Sequence, residues 1–538
     1  MATNKVAVVG GGISGLSCAW FLRQRHLLNL SSSSSSSPSP SLSISLHEKD
    51  PQRFGGWIRT IRRSGFQFEC GPFTLRSVGG EKAVTTLRLI EDLSLVDQTV
   101  EASLASRQNR YLWLDGRLQR MPSSPFQLLS DPLTKDLVWE VLSGKEWRQQ
   151  KAGEADKDES VRSFFARRFA SPRAADVFVD ALCLGVFAAP AERLSMKACF
   201  PPFWEMEQKY GSLTRGALIS SFFGDKEKKG RGGERRRRSE FVERMQRAKV
   251  YSFKQGMETL PAALARSLFD ETHEQKTMTE GREGGVRVVP SHSRLVAIAP
   301  LTSHCGAVLY FENGERMEVD HVISALPSYA LAELLTTQQE DTDGMGQIVE
   351  DIRTRIAFSS VAVVHFGFRN DVLKGRQGFG YLVPSLEHEP ILGVQWTSST
   401  LPQQSLSSSP NPETKLTVML PLASHDYVLL KNKHSMLTDE ERSKIALRYK
   451  QVAWQTVRRH LEIEGEGSDV CWNVALNVDA IPCYQVGHLG VVAEVKARLR
   501  RNFPALHLVG GSWGGGVGLN DCIHGAKQLV DALHYSST

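Results

Sequence analysis

The apolar positions of the chain change period within its first turn of structure. Val6-Ala7-Val8-Val9 is a continuous apolar run of strand length, after which Ile13, Leu16, Trp20 and Phe21 recur at helical spacing. Ile44-Ser45-Leu46-His47 alternates with period two and predicts a second strand. Farther on, Glu81–Leu95 and Met257–Phe269 read as helices, and Val286–Val289, Leu295–Ile298, Val308–Phe311 and His321–Ser324 as strands. Ile356–Phe368, Gly393–Trp396 and Leu416–Leu420 suit strands of a mixed sheet. Leu437–Ile463 is a helical tract, with Thr438 and Glu441 spaced as a capping box. Leu506–Val509 reads as a strand and Cys522–Leu533 as a closing helix. Strands alternating with helices at both chain ends predict an α/β protein with a doubly wound, Rossmann-like sheet.

Glycines sit where the first strand meets the first helix. Gly10-Gly11-Gly12-Ile13-Ser14-Gly15 carries the G-x-G-x-x-G spacing in the strand–turn–helix context that a dinucleotide fingerprint requires. Gly10 permits the tight turn, Gly12 lets backbone approach a diphosphate, and Gly15 lets the helix pack on the strand. The helix N-terminus offers N–H groups and a positive dipole end to the phosphates. The fingerprint calls for an acidic ribose partner about 20 residues on. Glu48, beside Lys49, lies 33 residues after Gly15, with a 13-residue Ser/Pro-rich run at Ser31–Ser43 between them. Such a run builds no core and reads as a loop insertion, and its removal restores the expected spacing. A carboxylate at Glu48 would repel a 2′-phosphate, which disfavours NADP.

A second glycine pair follows in Arg53-Phe54-Gly55-Gly56-Trp57, and a third glycine-rich junction in Gly510-Gly511-Ser512-Trp513-Gly514-Gly515-Gly516-Val517-Gly518-Leu519. Two strand–helix junctions of this kind, one at each terminus, imply one domain closed by both chain ends. They suit a flavin nucleotide better than a nicotinamide one, because helix N–H groups stabilise charge on a reduced ring.

These segments, together with Glu69-x-Gly71-Pro72, resemble the flavin-containing amine oxidase superfamily. Further segments narrow the resemblance to the protoporphyrinogen oxidase family, closer to its animal mitochondrial type. They are Asn109-Arg110-Tyr111-Leu112, Gly185-Val186-Phe187-Ala188, Gln255-Gly256-Met257-Glu258-Thr259-Leu260-Pro261, Asp320–Pro327, Gly378–Pro384 and Ile481-Pro482-x-Tyr484-x-x-Gly487-His488. The resemblance implies FAD, held non-covalently because the cysteine-tether motif of monoamine oxidases is missing. It implies cofactor contacts from Gly10–Gly15, Glu48, Lys49, Arg53, Gly55, Gly56, Trp57, Gly71, Pro72, Phe73, Thr74, Leu295, Gly511, Val517, Gly518 and Leu519. Phe73 stands where animal members often carry Arg, so only a backbone contact is expected there.

The same resemblance implies protoporphyrinogen IX as substrate, dioxygen as acceptor and hydrogen peroxide as by-product. Arg110 would pair a propionate, a task that suits a planar guanidinium. Gly185, Ala188, Phe379, Gly380, Leu382, Val394 and Met419 would wall the macrocycle, with Gly380 leaving room for the ring. Residues 1–105, 246–330 and 470–538 would form the discontinuous FAD-binding domain, 331–469 the mixed-sheet substrate domain and 110–245 a helical membrane-binding domain. A membrane surface, a homodimer and ferrochelatase are the partners this would bring, at the mitochondrial inner membrane. Coproporphyrinogen oxidation and flavin amine oxidation are the rival activities on this fold.

Composition bounds the rest. The 538 residues carry 41% hydrophobic side chains and a net charge of +6, enough for two or three domains. Lys226–Arg238 holds eight basic and two acidic residues, so the excess is local and not a nucleic-acid surface. It reads as a solvated insertion or a contact for anionic lipid. Residues 110–225 interleave cations with Trp113, Phe126, Trp139, Trp147, Phe164, Phe165, Phe203, Trp204, Phe222 and Phe223. That mixture fits a membrane interface or an ordinary helical core equally well. The eight cysteines show no metal or disulfide spacing, and Cys18, Cys183 and Cys522 lie in apolar segments. His524 reads as a packing or capping residue. No apolar run reaches spanning length. The first strand begins by residue 5, so no cleavable presequence is expected.

Overall fold

Strand Thr3–Val9 lies at the centre of a five-stranded parallel sheet, in the order Val286–Ser291, Ser41–His47, Thr3–Val9, His321–Ser324, Leu506–Leu508. The computed structural model describes residues 3–32, 41–122, 157–169, 172–213, 239–270, 286–301, 305–335, 344–405, 413–432, 437–465, 467 and 470–533. Alternation along the central strand separates two cores. Val6 and Val8 pack beneath helices Ile13–Ser32, Thr259–Phe269 and Leu519–Ala532. Ala7 and Val9 face helices Ser328–Leu334, Met345–Arg355 and His488–Asn502 and a small antiparallel sheet. A sheet covered on both faces is the setting that parallel strands require.

The second layer is a seven-stranded sheet in the order Cys471–Cys483, Ala357–Phe368, Thr414–Pro421, Gly393–Trp396, Gly380–Leu382, Tyr111–Leu114, Arg117–Arg120. Its pairs are antiparallel except Gly380–Leu382 with Tyr111–Leu114. One face, with Val364, Phe366, Trp396 and Leu416, is packed with helix Asp439–Leu461, whose Thr438–Glu441 capping box is present. The opposite face, with Val361, Val363, Met419 and Ala475, receives helix Asp180–Phe187 through Leu184.

This architecture moves several expected boundaries. The strand Cys471–Cys483 is the edge of the seven-stranded sheet, so the nucleotide domain resumes only after it. Helices Ser328–Leu334 and Met345–Arg355 belong to the nucleotide domain's core rather than to the substrate layer that 331–469 was expected to form. Strands Tyr111–Leu114 and Arg117–Arg120 join the seven-stranded sheet, and helix Glu240–Ala248 packs into the first core, so 110–245 is not one helical unit. The Ser-rich insertion is shorter than Ser31–Ser43. The first helix runs to Ser32 and the second strand starts at Ser41, with Leu42 only 2% exposed; residues 33–40 lie outside the described residues, as does 226–238. Strand pairing with Thr3–Val9 overrides the low-complexity composition at 41–43.

Of the two readings of the aromatics, most of those described take the core one. Phe164, Phe165 and Trp204 are buried in one apolar cluster, and Trp113 stacks on His460 inside the substrate sheet at 3.6 Å between centroids. Phe203 alone of the five described is exposed, at 42%. Phe126, Trp139, Trp147, Phe222 and Phe223 lie outside the described residues. Among the described residues no helix is long and apolar enough to cross a membrane, and no group of side chains has metal-binding geometry.

Candidate flavin and substrate site

The glycine fingerprint lies where the strand order of the parallel sheet reverses, between the carboxyl ends of Thr3–Val9 and His321–Ser324, the switch point at which open α/β sheets bind ligands. Gly10 has φ +104° and donates its N–H to the His47 carbonyl at 2.8 Å. A Cβ on Gly15 would collide with the Gly10 carbonyl oxygen, so the helix reaches the turn only without one. Ile13 and Ser14 are buried in the first helical turn, whose leading N–H groups have no intrahelical acceptor. Glu48 caps the second strand as its spacing suggested. Its Oε2 accepts the Gly11 N–H at 2.9 Å and its Oε1 the Asp50 N–H at 3.0 Å, while Lys49 is exposed.

The second glycine pair lies against the first. Gly55 donates its N–H to the Gly11 carbonyl at 2.8 Å, and a Cβ on Gly56 would stand 3.3 Å from Gly12 Cα. Arg53 holds this turn by donating to the carbonyls of Gly56 at 2.7 Å and Ile58 at 3.3 Å. Two backbone ridges without side chains, a helix N-terminus and a fixed carboxylate fit the diphosphate and ribose of a dinucleotide. The C-terminal junction closes on the same place. Gly514, Gly515 and Gly516 all have positive φ, and the last helix starts at Leu519, three residues before the expected Cys522. Lys82 Nζ donates to the Gly515 carbonyl and to Asp521, both at 2.6 Å, and Asp521 accepts the Gly518 N–H at 3.1 Å. Tyr484 donates its hydroxyl to the Gly511 carbonyl. Val517 packs on the helical cluster and Leu519 on the first core, so the turn spans the two. His524 is buried and bonded to Thr85, a packing role.

Glu69-Cys70-Gly71-Pro72-Phe73-Thr74 joins the two layers. A Cβ on Gly71 would overlap the Trp57 carbonyl oxygen. His365 Nε2 donates to the Glu69 carbonyl at 2.9 Å, Asn473 donates to His365 Nδ1 at 3.2 Å, and Asn477 donates to the Cys70 carbonyl at 2.9 Å. Burial holds His365 neutral, with its pKa down to about 4. The Glu69 carboxylate accepts from Thr60 and from the Met257 N–H; burial raises its pKa to about 7, and burial lowers that of nearby Lys415 to about 8. None of His365, Asn473, Asn477 and Lys415 was singled out from sequence, because polar residues in a β-rich run carry no signal of what faces them. A cleft of about 590 Å³ runs beside this segment, lined by Arg53, Gly56, Trp57, Arg59, Cys70, Ala475 and Asn477 among others. Phe73 turns away from it into a small cluster with Phe379, the rings 5.5 Å apart. Pro72 and Thr74 are half-buried beside it.

On the sheet, Met419 pairs Val363 and Gly393, and Leu382 pairs Leu112 and Gly393, all on the face away from helix Asp439–Leu461. Gly185 lies directly over Leu382, and Ala188 caps its helix in the left-handed region at φ +50° against the same apolar cluster. Arg110 lies at one end of this face with its guanidinium 6.0 Å from the Phe379 ring centroid. One expectation changes. Val394, 1% exposed, packs with Val418 and Trp396 in the opposite core; its neighbours Gly393 and Gln395 share the Met419 face, because one step in register turns a side chain to the other side. Gly380 is required by strand pairing, since its φ is +129° and a Cβ would strike the Val394 carbonyl. Leu295 is half-buried in an antiparallel strand that pairs Ala307–Phe311 and packs against the second core.

Comparison with known proteins decides the family. Residues 13–533 match the flavin containing amine oxidoreductase family. The chain belongs to it. Protoporphyrinogen oxidase of Bos taurus is 31% identical over 98% of this chain and 97% of that protein, and the enzyme of Homo sapiens is 31% identical over the same shares. Those relatives put the chain within the protoporphyrinogen oxidase branch of the family. A structure from Exiguobacterium sp., provisionally named for the same activity, superposes with a TM-score of 0.68 at 20% identity, covering 99% of each chain. At that identity the likeness speaks for the fold. The flavin amine oxidoreductase fold and a flavin cofactor follow from family membership.

Proposed function

We propose that this protein is an FAD-dependent protoporphyrinogen oxidase. It would carry out three two-electron oxidations of protoporphyrinogen IX to protoporphyrin IX, each reducing one dioxygen to hydrogen peroxide. The observation that carries this reading is the sheet face itself. Apolar Val361, Val363, Leu382, Met419 and Ala475 lie on one face, with Arg110 near one end and with Ala475 lining a cleft beside Gly56 and Trp57. A large apolar macrocycle with two propionates needs such walls and such a cation.

Bound FAD would supply the hydride acceptor and the reaction with dioxygen. The chain's own residues would bind and orient. Gly11, Gly12 and Ile13 present backbone to the diphosphate, and Glu48 accepts from ribose hydroxyls. The His365–Asn473–Asn477 set fixes the Glu69–Thr74 segment against the sheet, while Met419 and Leu382 exclude water from the reacting face. No cysteine of the C-terminal turn precedes Tyr in a tether motif, which supports non-covalent FAD. A position on the mitochondrial inner membrane surface belongs to the same proposal. The exposed apolar side chains Leu182, Val186 and Phe203 of the helical region support it.

Anaerobic mixing of the yellow protein with protoporphyrinogen IX should bleach the flavin, and air should then restore it with rising porphyrin fluorescence. Oxidation of coproporphyrinogen III at a higher kcat/KM would overturn the substrate assignment. Arg110→Ala should raise the KM for protoporphyrinogen at least tenfold with flavin content kept. Loss of flavin in that variant would make Arg110 a structural residue.

A further inference from the structure

We propose that Arg76 is a second substrate-binding cation, forming with Arg110 a two-guanidinium clamp for the paired carboxylates on one edge of the macrocycle. This rests on the protoporphyrinogen reading and deepens it. Arg76 ends the short strand Leu75–Arg76, which pairs Val250–Phe253 two residues beyond the half-buried Thr74. Three residues earlier in the chain, the Phe73 ring touches Phe379, and Phe379 in turn lies under the Arg110 guanidinium. Arg110 thus stands over this aromatic pair, and Arg76 follows Phe73 by three residues on the adjoining strand.

Both residues are exposed, and neither guanidinium has a carboxylate or carbonyl partner among the described residues. Burial and then the positive charge of Arg76 lower the pKa of Arg110. Two like charges held together without a counter-ion cost free energy that a bound dianion returns. Two exposed arginines of the seven-stranded layer, by contrast, hold carboxylates: Arg369 is paired with Glu413 and Arg459 with Glu389.

The position of Arg76 gives the clamp a second consequence. Its backbone carbonyl accepts from Asn520 Nδ2 at 2.6 Å, in the first turn of the closing helix beside Gly518 and Leu519. A carboxylate held by Arg76 is thereby tied in register to the glycine-rich turn proposed for the flavin. Two guanidiniums also match two carboxylates. A tetracarboxylate such as coproporphyrinogen would leave two unpaired, and this favours the dicarboxylate substrate.

The test compares Arg76→Gln, Arg76→Lys and Arg110→Gln in the flavin-loaded protein. Protoporphyrinogen IX and its dimethyl ester serve as substrates, and protoporphyrin IX binding is followed by fluorescence titration. Arg76→Gln should raise KM for the free acid and Kd for the porphyrin about tenfold with the flavin-to-protein ratio kept, and Arg76→Lys should recover part of the loss. The diester should show no dependence on residue 76. An equal shift with acid and ester, or no shift in either titration, overturns the clamp. If the unaltered protein binds protoporphyrin through Arg76 yet oxidises neither substrate, the activity reading fails while the clamp stands.

Discussion

Gly185 stands so close to Leu382 that a methyl group added to it would lie 2.6 Å from Leu382 Cδ2. The contact joins helix Asp180–Phe187 to strand Gly380–Leu382 and closes one wall of the proposed macrocycle cavity. The atom in the way is the end of a mobile side chain, so the wall can shift while the backbone stays. Gly185→Ala is expected to cost about 1 kcal/mol of stability and to raise the KM for porphyrinogen several-fold. An unchanged KM in steady-state kinetics would show that this wall does not meet substrate.

Gly71 has no such relief. The obstacle to a side chain there is the Trp57 carbonyl oxygen, which is part of the turn carrying Gly55 and Gly56. Gly71→Ala should lower stability by about 2–3 kcal/mol and release flavin. The ratio of flavin to protein absorbance after gel filtration checks it, and full flavin retention would count against a cofactor role for this turn.

Glu48 uses both carboxylate oxygens on backbone N–H groups of the fingerprint region. Glu48→Gln keeps one acceptor and replaces the other with a donor. Charge-assisted bonds of this kind are worth about 1.5–3 kcal/mol, so FAD affinity should fall at least tenfold with the fold preserved. Equilibrium dialysis against FAD measures it, and circular dichroism reports on the fold.

Stability should fall on the acid side. Burial lowers the pKa of His47, His365, His460, His488 and His507 from 6.5 to about 4 each. As pH drops from about 6.5 toward 4, the unfolded chain binds protons that the folded chain refuses, and the folded state loses at most about 3 kcal/mol per histidine. Glu69 acts with the opposite sign. Its pKa is raised from 4.5 to about 7, so its contribution is full below 4.5 and is lost as pH rises through 7. His365→Gln keeps a donor to the Glu69 carbonyl and removes one titration. The acid limb of Tm against pH should be shallower in that variant, and an unchanged slope would mean that His365 does not titrate over this range.

Much of this molecule was legible in the order of its residues. The fingerprint turn, its flanking strand and helix, and Glu48 as the carboxylate after the second strand follow from local rules. Glycines at fixed spacing serve a backbone approach, and that requirement is independent of distant parts of the chain. Strand Gly393–Trp396 and the Thr438–Glu441 capping box were readable for the same reason, since period and cap are encoded within a few residues.

Long-range pairing decided what local pattern could not. Ser41, Leu42 and Ser43 look like linker, yet they are a strand because Thr3–Val9 offers its edge. Val394 and Met419 are both apolar β residues, and only the register between Gly393–Trp396 and Thr414–Pro421 sends one to the core and the other to the opposite face. Arg76 and Arg110 are related only through the contact of Phe73 with Phe379, which joins two sheets. The sequence by itself determined which residues have the chemistry for a dinucleotide and a carboxylate. Tertiary structure alone decided which of them meet, because side-chain direction in a sheet reverses at every residue and is fixed only by the neighbour that the strand finds.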